Sequence, residues 1–311
     1  MTRTIFITGV GSGIGLSTAS LFARSGWNVV GTVRRHDDHH PLAGRPEVRL
    51  LHLDVTDSTG VERAARDAIA AFGHIDVVVN NAGYFQMGAL ESTTMTQVRR
   101  QFETNVFGVI AVTQAFLPHL RTQGFGMFVN VASSSAENGY PFGSVYSATK
   151  GCIASLTEAL NVELDPIGVQ AKAVFPGLHA TRIFTKVDVA AQPPSAYLPL
   201  LHAFLRQQRS MRGSHPDVVA KVIWTAVHDG RADRVRYYAG PDATMIPIAK
   251  RLFGQHGYWR FFRRTLLRGP GPLLARFMPQ GDTPVEVGAD VLALQCPLPD
   301  GGDGAARVVT E

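Results

Sequence analysis

The chain carries the stretch Thr8-Gly9-Val10-Gly11-Ser12-Gly13-Ile14-Gly15 directly after the apolar run Ile5-Phe6-Ile7. Residues 16–25 follow with the apolar spacing of an amphipathic helix, so a strand, a glycine-rich turn and a helix come in this order. Glycines in such a turn let the backbone approach a pyrophosphate, whose charge is stabilised by the free N–H groups at the start of the helix. The stretch therefore predicts a dinucleotide-binding turn.

Apolar, β-branched runs of strand length alternate with helix-like segments along most of the chain. We expect strands at residues 4–8, 28–33, 48–53, 75–80, 127–132, 170–175 and 235–239. Helices are expected at residues 61–72, 95–121, 145–164 and 217–228, with Pro216 in the first turn of the last one. This alternation predicts a doubly wound α/β fold, in which helices cover both faces of a seven-stranded parallel sheet and ligands bind beyond the carboxyl ends of the strands.

The chain is interpreted as one catalytic domain, residues 1–243, followed by a basic C-terminal extension, residues 244–311. Within the domain, residues 184–215 interrupt the alternation of strands and helices, with Pro193-Pro194 and the apolar stretch 197–205 in place of a strand. A long insertion of this kind predicts a substrate loop or lid, and a surface elaboration without substrate contact is the alternative. The last thirty residues are rich in proline and glycine and are expected to be poorly structured.

The net charge of +5 is concentrated in one segment. Outside residues 243–281 the chain has 23 basic and 25 acidic residues, so a nucleic-acid partner is not expected. No apolar run reaches the roughly 18 residues of a membrane span, and the first strand starts too early to leave room for a signal peptide. Cys152 and Cys296 lack metal-ligand spacing. We therefore expect a cytoplasmic protein without a metal site. The basic residues of 243–281, which contains no acidic residue, are Lys250, Arg251, Arg260, Arg263, Arg264, Arg268 and Arg276.

Several motifs follow the glycine turn in a fixed order. They are Asn80-Asn81-Ala82-Gly83, Asn105, Ser133, Tyr146-x-x-x-Lys150 and Pro176-Gly177-x-x-x-Thr181. Together with the glycine turn, these motifs resemble the short-chain dehydrogenase/reductase family over about residues 3 to 240. The resemblance implies an enzyme that transfers a hydride between a nicotinamide cofactor and a carbonyl or alcohol carbon.

Tyr146 and Lys150 lie one helical turn apart and so share a face. A phenol with its ordinary pKa near 10 is a poor base at neutral pH. An ammonium group about 4 Å away lowers that pKa by about three units at an effective dielectric constant near 20, before desolvation offsets part of the effect. The resemblance implies that Tyr146 is the general acid/base and that Lys150 also holds the nicotinamide ribose. It further implies that Ser133 hydrogen-bonds the reacting oxygen and that Asn105 is linked to Lys150 through water. The register of residues 130–133 favours Ser133 over the two serines that follow it.

The resemblance also implies a set of cofactor contacts. Beyond the end of the second strand, where a carboxylate binds the ribose 2′-OH of NAD, this chain has Val33-Arg34-Arg35. Arg34 can pair with a 2′-phosphate, so NADP(H) is favoured over NAD(H). Arg35 is interpreted as a solvated loop charge, and Ser12 occupies a position where many NADP-dependent relatives carry a basic residue. The implied contacts are Gly9, Ser12, Gly13, Ile14 and Gly15 in the turn, Asp54 and Val55 at the adenine, Asn81, Ala82 and Gly83 at the adenosine, Tyr146 and Lys150 at the ribose, and Pro176, Gly177, Leu178 and Thr181 at the nicotinamide.

The side chains expected near the reacting carbon are mostly apolar or aromatic, which favours a hydrophobic ketone, aldehyde or alcohol as substrate. They come from residues 85–87 and 138–142, with His179 and Phe184. Helices 95–121 and 145–164 pack subunits together in many relatives, so a homodimer is expected. Residues 258–268 predict a cationic amphipathic helix, and its apolar face packs on the core or contacts a membrane surface. That face carries Tyr258, Trp259, Phe262 and Leu266.

Two other functions compete with an oxidoreductase. A non-catalytic dinucleotide sensor on the same fold has no need of Ser133, Tyr146 and Lys150, all of which are present. A nucleotide-fold methyltransferase has no use for the tyrosine–lysine pair, and its usual acidic ribose ligand after the second strand is absent. The sequence therefore favours the oxidoreductase.

Overall fold

The computed structural model describes residues 2–35, 39–181, 183, 185–210, 212–268, 283–284, 288 and 291. The strands and their bounds are β1 (Thr4–Ile7), β2 (Asn28–Val33), β3 (Val48–His52), β4 (Val77–Asn80), β5 (Gln86–Met87), β6 (Gly126–Val131), β7 (Val169–Pro176), β8 (Asp188–Val189), β9 (Arg212–Gly213), β10 (Arg236–Ala239) and β11 (Thr283–Pro284). The α-helices are α1 (Gly13–Arg24), α2 (Ser58–Phe72), α3 (Met95–Phe102), α4 (Gly108–Gln123), α5 (Ser144–Glu163), α6 (Leu198–Ser210), α7 (Asp217–His228) and α8 (Pro241–Arg268).

Seven parallel strands form the main sheet, in the order β3-β2-β1-β4-β6-β7-β10. The predicted doubly wound α/β fold is confirmed, and each predicted strand ends within two residues of the observed one. The chain runs outward in one direction from β1 to β3 and in the other from β4 to β10. This reversal between β1 and β4 opens a crevice at the carboxyl ends of the central strands.

The central strand β1 shows why the strands of the sheet are largely apolar. Ile5 and Ile7 are fully buried in the layer formed with α1 and α7. Phe6 points to the opposite face, where its ring centroid lies 4.6 Å from that of Phe116 in α4. Alternate residues of a strand face opposite sides of a sheet, so a strand covered on both faces reads as an uninterrupted apolar run. That burial fixes the position of the glycine turn that follows β1.

The prediction of a single helix at residues 95–121 is wrong in one respect. The structure has α3 and α4, joined by a π-helical turn over residues 103–107. Thr94 and Gln97 form a capping box that starts α3. The extra residue of a π turn changes which side chains face the sheet, and such turns are frequent at functional sites. Here the π turn carries Asn105.

The segment predicted as a substrate loop has regular structure of its own. It contains β8, which pairs with β5, and α6. Leu201, Phe204 and Leu205 of α6 are buried in a small apolar cluster with Met87 and Phe142. The segment is also tied to α3, because Gln97 donates a hydrogen bond to Asp188 at 3.0 Å and Arg100 forms an ion pair with the same carboxylate. Phe184 lies outside the described residues.

The helix α8 is longer than the predicted 258–268 helix and starts directly after β10. It is broken at Gly254, whose φ of 66° and ψ of 165° are not helical. The part of the predicted apolar face that carries Tyr258 packs on the domain, because Tyr258 is buried and its hydroxyl accepts a hydrogen bond from Asn138 at 2.6 Å. Phe262 lies against the ring of Tyr140, with 5.6 Å between centroids. Within the described residues, no helix is long and apolar enough to cross a membrane.

Candidate active site

A cavity of about 990 Å³ lies at the carboxyl ends of the central strands. It brings together residues that follow β1, β2, β3, β4, β6 and β7. Of the catalytic and cofactor-binding residues that the sequence predicts, Gly15 and Asn105 do not line this cavity. Those that line it are Gly9, Ser12, Gly13, Ile14, Arg34, Asp54, Val55, Asn81, Ala82, Gly83, Ser133, Tyr146, Lys150, Pro176, Gly177, Leu178 and Thr181.

The glycine turn has a backbone that other residues adopt only with strain. Gly9 and Gly13 have φ angles of +74° and +58°, in the left-handed region. At Gly15 a Cβ atom would lie 2.3 Å from the carbonyl oxygen of Gly9. Side chains are thus excluded at Gly9, Gly13 and Gly15 by conformation or by space, and the backbone there is left open to a ligand.

The turn is braced by the segment that follows β4. The hydroxyl oxygen of Thr8 accepts hydrogen bonds from the backbone N–H groups of Asn81 and Ala82, both at 2.9 Å. The side-chain amide of Asn81 donates to the carbonyl oxygens of Thr8 and Gly9 at 2.8 and 3.1 Å. These four bonds hold together two segments that sequence inspection recognises only as separate motifs.

The turn and the start of α1 fit a dinucleotide phosphate. The Ser12 side chain makes no cap hydrogen bond to α1, and the first turn of α1 contains no acidic residue. The first N–H groups of a helix have no partner within it and attract anions. Together with the exposed glycine backbone, they form the anion site that a pyrophosphate needs.

Tyr146, Ser133 and Lys150 meet on the far side of the cavity. Ser133 contacts the phenol of Tyr146 through its hydroxyl group. The Nζ of Lys150 lies 5.8 Å from the centroid of the Tyr146 ring and donates a hydrogen bond to the carbonyl oxygen of Val131 at 2.8 Å. Phe85 packs edge-on against Tyr146, with 4.9 Å between ring centroids. A phenol O–H and a serine hydroxyl are thus presented together to the cavity.

Burial sets the protonation of this pair. It raises the pKa of Tyr146 to about 12, although the Ser133 hydroxyl works in the opposite direction. It lowers the pKa of Lys150 to about 8. The lowered pKa that the sequence predicts for Tyr146 is not found. The ammonium group of Lys150 is bound to Val131, and its effect on the phenolate is smaller than that of desolvation. Tyr146 is therefore protonated at neutral pH and is equipped to donate a proton.

Asn105 lies behind the cavity wall and is almost fully buried. Its Oδ1 accepts a hydrogen bond from the backbone N–H of Tyr84 at 3.1 Å. Its Nδ2 donates to the carbonyl oxygen of Tyr84 at 3.1 Å and to the hydroxyl of Thr149 at 3.3 Å. Both amide protons are thus engaged, and one acceptor position on Oδ1 remains for a water-mediated link to Lys150. The proton-relay role of Asn105 stays a prediction.

Basic residues border the cavity after β2. Arg34 and Arg35 are both exposed and line it, so Arg35 is solvated as predicted but also belongs to the site wall. The carbonyl oxygen of Arg34 accepts a hydrogen bond from His52 Nε2 at 3.0 Å, which anchors the backbone there. Sequence inspection missed the buried His40, whose Nε2 donates to the carbonyl oxygen of Val10 at 3.1 Å. An isolated histidine carries no local signal that could have identified it.

The opposite end of the cavity is mostly apolar. Asn138 and Phe142, which were predicted to face the substrate, do not line it. Asn138 bonds to Tyr258, and Phe142 packs against Phe204, with ring centroids 5.7 Å apart. Sequence inspection predicted a lid but could not say which of its residues reach the cavity. The lining residues at this end include Phe85, Met87, Tyr140, His179, Ile183, Lys186, Phe204, Leu205 and Val291.

Asp242, at the start of α8, is a second residue that sequence inspection missed. Its Oδ2 accepts a hydrogen bond from the backbone N–H of Leu178 at 2.6 Å. A Cβ atom on Gly177 would lie 2.0 Å from its Oδ1. Burial raises the pKa of Asp242 and lowers that of His179, whose Nδ1 is bonded to the carbonyl oxygen of Gly177. The carboxylate at the start of α8 thus fixes the segment after β7.

Comparison with known proteins agrees with this geometry. The family model for short chain dehydrogenases matches residues 3–191. The uncharacterized oxidoreductase YusZ of Bacillus subtilis is 32% identical over 265 residues, which cover 81% of this chain and 94% of the relative. The crystal structure of a short-chain dehydrogenase from Streptomyces avermitilis superposes with a TM-score of 0.73 and 30% identity, over 85% of this chain and 98% of that one.

A third similar protein carries a bound cofactor. The 3-ketoacyl-(acyl-carrier-protein) reductase from Brucella melitensis was solved in complex with NADH and superposes with a TM-score of 0.65. It is 26% identical, over 76% of this chain and 95% of that one. The fold, the glycine turn, the Tyr146 and Lys150 pair and the family match lead to one conclusion: this chain is an oxidoreductase-type member of the short-chain dehydrogenase/reductase family.

Proposed function

We propose that the protein is an NADP(H)-dependent oxidoreductase that interconverts a hydrophobic ketone or aldehyde and its alcohol. The observation that carries this proposal is the meeting of Tyr146 and Ser133 in the same cavity as the open glycine turn. The glycine turn would hold the pyrophosphate of a dinucleotide, and the same cavity joins this turn to Tyr146. The non-catalytic sensor offers no reason for a buried lysine beside a half-buried phenol at that place.

The chemistry divides between cofactor and protein. When bound, the nicotinamide supplies or takes up the hydride. Tyr146 donates its phenolic proton to the carbonyl oxygen during reduction and recovers it from the alcohol during oxidation. Ser133 donates a hydrogen bond to the same oxygen and so stabilises the negative charge that develops on it. One hydride at carbon and one proton at oxygen convert the carbonyl to the alcohol.

Lys150 acts on this reaction through position and charge. Its hydrogen bond to Val131 fixes the ammonium group beside the end of β6, where we place the nicotinamide ribose. A buried positive charge there favours the phenolate over the phenol, and it therefore assists proton uptake in the oxidative direction. Asn105 supports the same region by holding the backbone of Tyr84.

The cavity wall after β2 supports NADP(H) over NAD(H). Arg34 and Arg35 both line the cavity, and no carboxylate occurs among the described residues 33–35. A guanidinium group can bind a 2′-phosphate through two charge-assisted hydrogen bonds. The NADH complex of the Brucella melitensis relative means that family membership alone does not decide the cofactor.

The apolar end of the cavity supports a hydrophobic substrate. Phe85, Met87, Phe204 and Leu205 lie within the same cavity as Tyr146. Apolar walls with a few convergent polar groups are typical of sites that bind hydrophobic small molecules. Among the described residues, two lysines line the cavity: Lys150 and Lys186. Lys186 lies at this apolar end and is exposed.

A homodimer through α4 and α5 is part of the proposal. Phe107, in the turn before α4, and Val162 on α5 are large apolar side chains with 52% and 75% of their surfaces exposed. Light scattering coupled to gel filtration tests it. Two subunits per particle, converted to monomers by Val162→Lys with Phe107→Lys, support this interface, and an unchanged particle mass contradicts it.

The experiment that tests the activity is a panel of hydrophobic ketones, aldehydes and alcohols, followed by nicotinamide absorbance with NADPH or NADP⁺. Tyr146→Phe serves as the matched inactive variant, and it retains NADPH binding within a few-fold because only the hydroxyl group is lost. Turnover by the wild type and none by the variant support the proposal. Cofactor binding without turnover of any member of the panel favours the sensor, and equal turnover by both proteins rejects the role of Tyr146.

A further inference from the structure

The helix α8 carries an unusual share of the exposed apolar surface. Seven of the thirteen large apolar side chains that are exposed in the described part of the chain lie on this one element of 28 residues. Leu252 and Phe253 are the most exposed of the seven, at 73% and 62%. Exposed apolar residues that occur singly are normal, but a concentrated group marks an interaction surface. The seven are Met245, Ile248, Leu252, Phe253, Trp259, Phe261 and Leu267.

Their spacing places three of them on one side of the first half of the helix. Before the break at Gly254, Met245, Ile248 and Leu252 recur at helical spacing and form a single stripe. The residues that alternate with them, including Ala243 and Ile246, are buried against the domain. The stripe therefore points away from the core. Within the described residues nothing buries it.

The second half of α8 adds positive charge close to this apolar surface, since the ring of Phe261 stacks on that of Phe253 with 6.4 Å between centroids. Arg260, Arg263 and Arg264 are exposed, and Trp259 and Phe261 flank them. We call the seven apolar residues, together with Arg251, Arg260, Arg263 and Arg264, the outer face of α8. The sequence between residues 243 and 281 contains no acidic residue that could neutralise this charge. The outer face is thus both apolar and strongly cationic.

These two properties together identify the partner. A helix that combines apolar and aromatic side chains with arginines lies in the interface of a lipid bilayer, with its apolar groups among the acyl chains and its cations at the head groups. A second copy of the chain is a poor partner, because a symmetric contact would place the arginines of one copy against those of the other. A nucleic acid would leave Leu252 and Phe253 without a contact.

We propose that the outer face of α8 docks the protein on the surface of an anionic lipid bilayer, without spanning it. This surface differs from the predicted one, because Tyr258 faces inward and bonds to Asn138. The same helix contributes Asp242 to the cavity wall. Docking therefore involves an element that belongs to the proposed substrate site, although the inference does not depend on the reaction.

The test is co-sedimentation of the full chain with vesicles of phosphatidylcholine alone and of phosphatidylcholine with one third phosphatidylglycerol. We expect binding to the anionic vesicles only. Arg263→Gln with Arg264→Gln weakens it by about 25-fold, since each basic residue near an anionic surface contributes about fivefold. Leu252→Ser with Phe253→Ser weakens it by about tenfold or more, because two apolar groups no longer enter the acyl region.

Matched variants elsewhere on the surface control for general loss of charge and hydrophobicity. Arg63→Gln with Arg121→Gln removes two exposed arginines from α2 and α4, and Leu90→Ser with Phe125→Ser removes two exposed apolar groups outside α8. Both bind vesicles like the wild type. All four variants unfold thermally within a few degrees of the wild type, because the side chains changed are exposed.

Several outcomes overturn the proposal. They are absence of wild-type binding to anionic vesicles, equal binding to neutral vesicles, and equal losses in the α8 variants and their controls. A change in particle mass of the α8 variants in gel filtration, without a change in vesicle binding, assigns the face to a contact between copies and also overturns it. Because sedimentation requires no turnover, failure here is distinguishable from failure of the proposed reaction.

Discussion

The ammonium group of Lys150 donates a hydrogen bond to the carbonyl oxygen of Val131 at 2.8 Å, and its nitrogen lies 5.8 Å from the centroid of the Tyr146 ring. The lysine is thus fixed to the end of β6 and acts on the phenol from a distance. At that distance its field does not offset the burial of Tyr146, whose pKa stays raised. Lys150 is buried as well, which has a measurable consequence for stability.

The free energy of unfolding is expected to contain a pH-dependent contribution from Lys150. Its pKa is about 8 in the folded state and has its ordinary value of 10.5 in the unfolded chain, so between these values the unfolded state binds more protons. Stability from this group therefore rises with pH in that window. The difference in unfolding free energy, wild type minus Lys150→Met, increases by about 2.5 kcal/mol from pH 7 to pH 10. Urea denaturation at several pH values measures it, and a constant difference would contradict the assignment.

Substitution by alanine is expected to weaken NADPH binding at one glycine of the turn and to leave it unchanged at another. At Gly15 a methyl group meets the carbonyl oxygen of Gly9 at 2.3 Å, whereas at Gly11 the nearest atom, on Val33, is 3.9 Å away. Gly15→Ala therefore displaces the turn and weakens NADPH binding by about a hundredfold, at a cost of roughly 1 to 3 kcal/mol for overpacking. Gly11→Ala binds like the wild type. Fluorescence titration compares them, and equal affinities would show that the turn does not hold the cofactor.

Arg34→Ala is expected to weaken NADPH binding without affecting NADH. The loss is about 1.5 to 3 kcal/mol, or roughly tenfold to a hundredfold, if the guanidinium binds the 2′-phosphate through charge-assisted hydrogen bonds. Arg35→Ala is the matched control. It is expected to weaken NADPH binding less, because we interpret the Arg35 side chain as mainly solvated. Dissociation constants for both cofactors are the measurement. Equal losses for NADPH and NADH would exclude a contact between Arg34 and the phosphate.

Asp242→Ala is expected to lower cofactor affinity although the residue lies outside the family match. Removing the carboxylate leaves the partly buried N–H of Leu178 without its acceptor at 2.6 Å and frees the segment after β7. A donor left unsatisfied in this way costs about 1 to 3 kcal/mol, which predicts a rise of roughly tenfold in the KM for NADPH. Asp242→Asn retains an acceptor oxygen and restores most of it. A KM that is unchanged in the alanine variant would remove Asp242 from the site.

The fold was predictable from the sequence wherever local patterns and tertiary packing agree. The strand at Asn28–Val33 and the helix at Asp217–His228 have the predicted bounds, because each is an apolar run with clear ends. Residues 241–257 carry Pro247, Gly254 and Gly257, which weaken the local helix signal. There the helix depends on distant contacts, such as the hydrogen bond from Lys250 to Glu137 at 2.8 Å.

The candidate site likewise contains residues that could be identified from the sequence and residues that could not. Residues in motifs of fixed spacing, such as Tyr146 and Lys150, were identified from the sequence and lie together in the cavity. His40 and Asp242 were not, because each reaches the site through long-range packing and belongs to no local pattern. The pKa of Tyr146 could not be predicted either. It depends on the burial of the phenol and on the hydrogen-bond partner of Lys150, and the spacing of residues in the sequence determines neither.

Glu137, four residues beyond Ser133, links the last sheet strand to the C-terminal helix. Its carboxylate accepts hydrogen bonds from Tyr238 at 2.9 Å and Lys250 at 2.8 Å, and it pairs with Arg236. Burial opposes ionisation, but these donors hold the pKa of Glu137 below its ordinary value. Positions 137, 236, 238 and 250 can therefore change only as a set. A chimera that receives its C-terminal segment from a relative must inherit the matching residue at 137, or the loop carrying Ser133 loses its anchor.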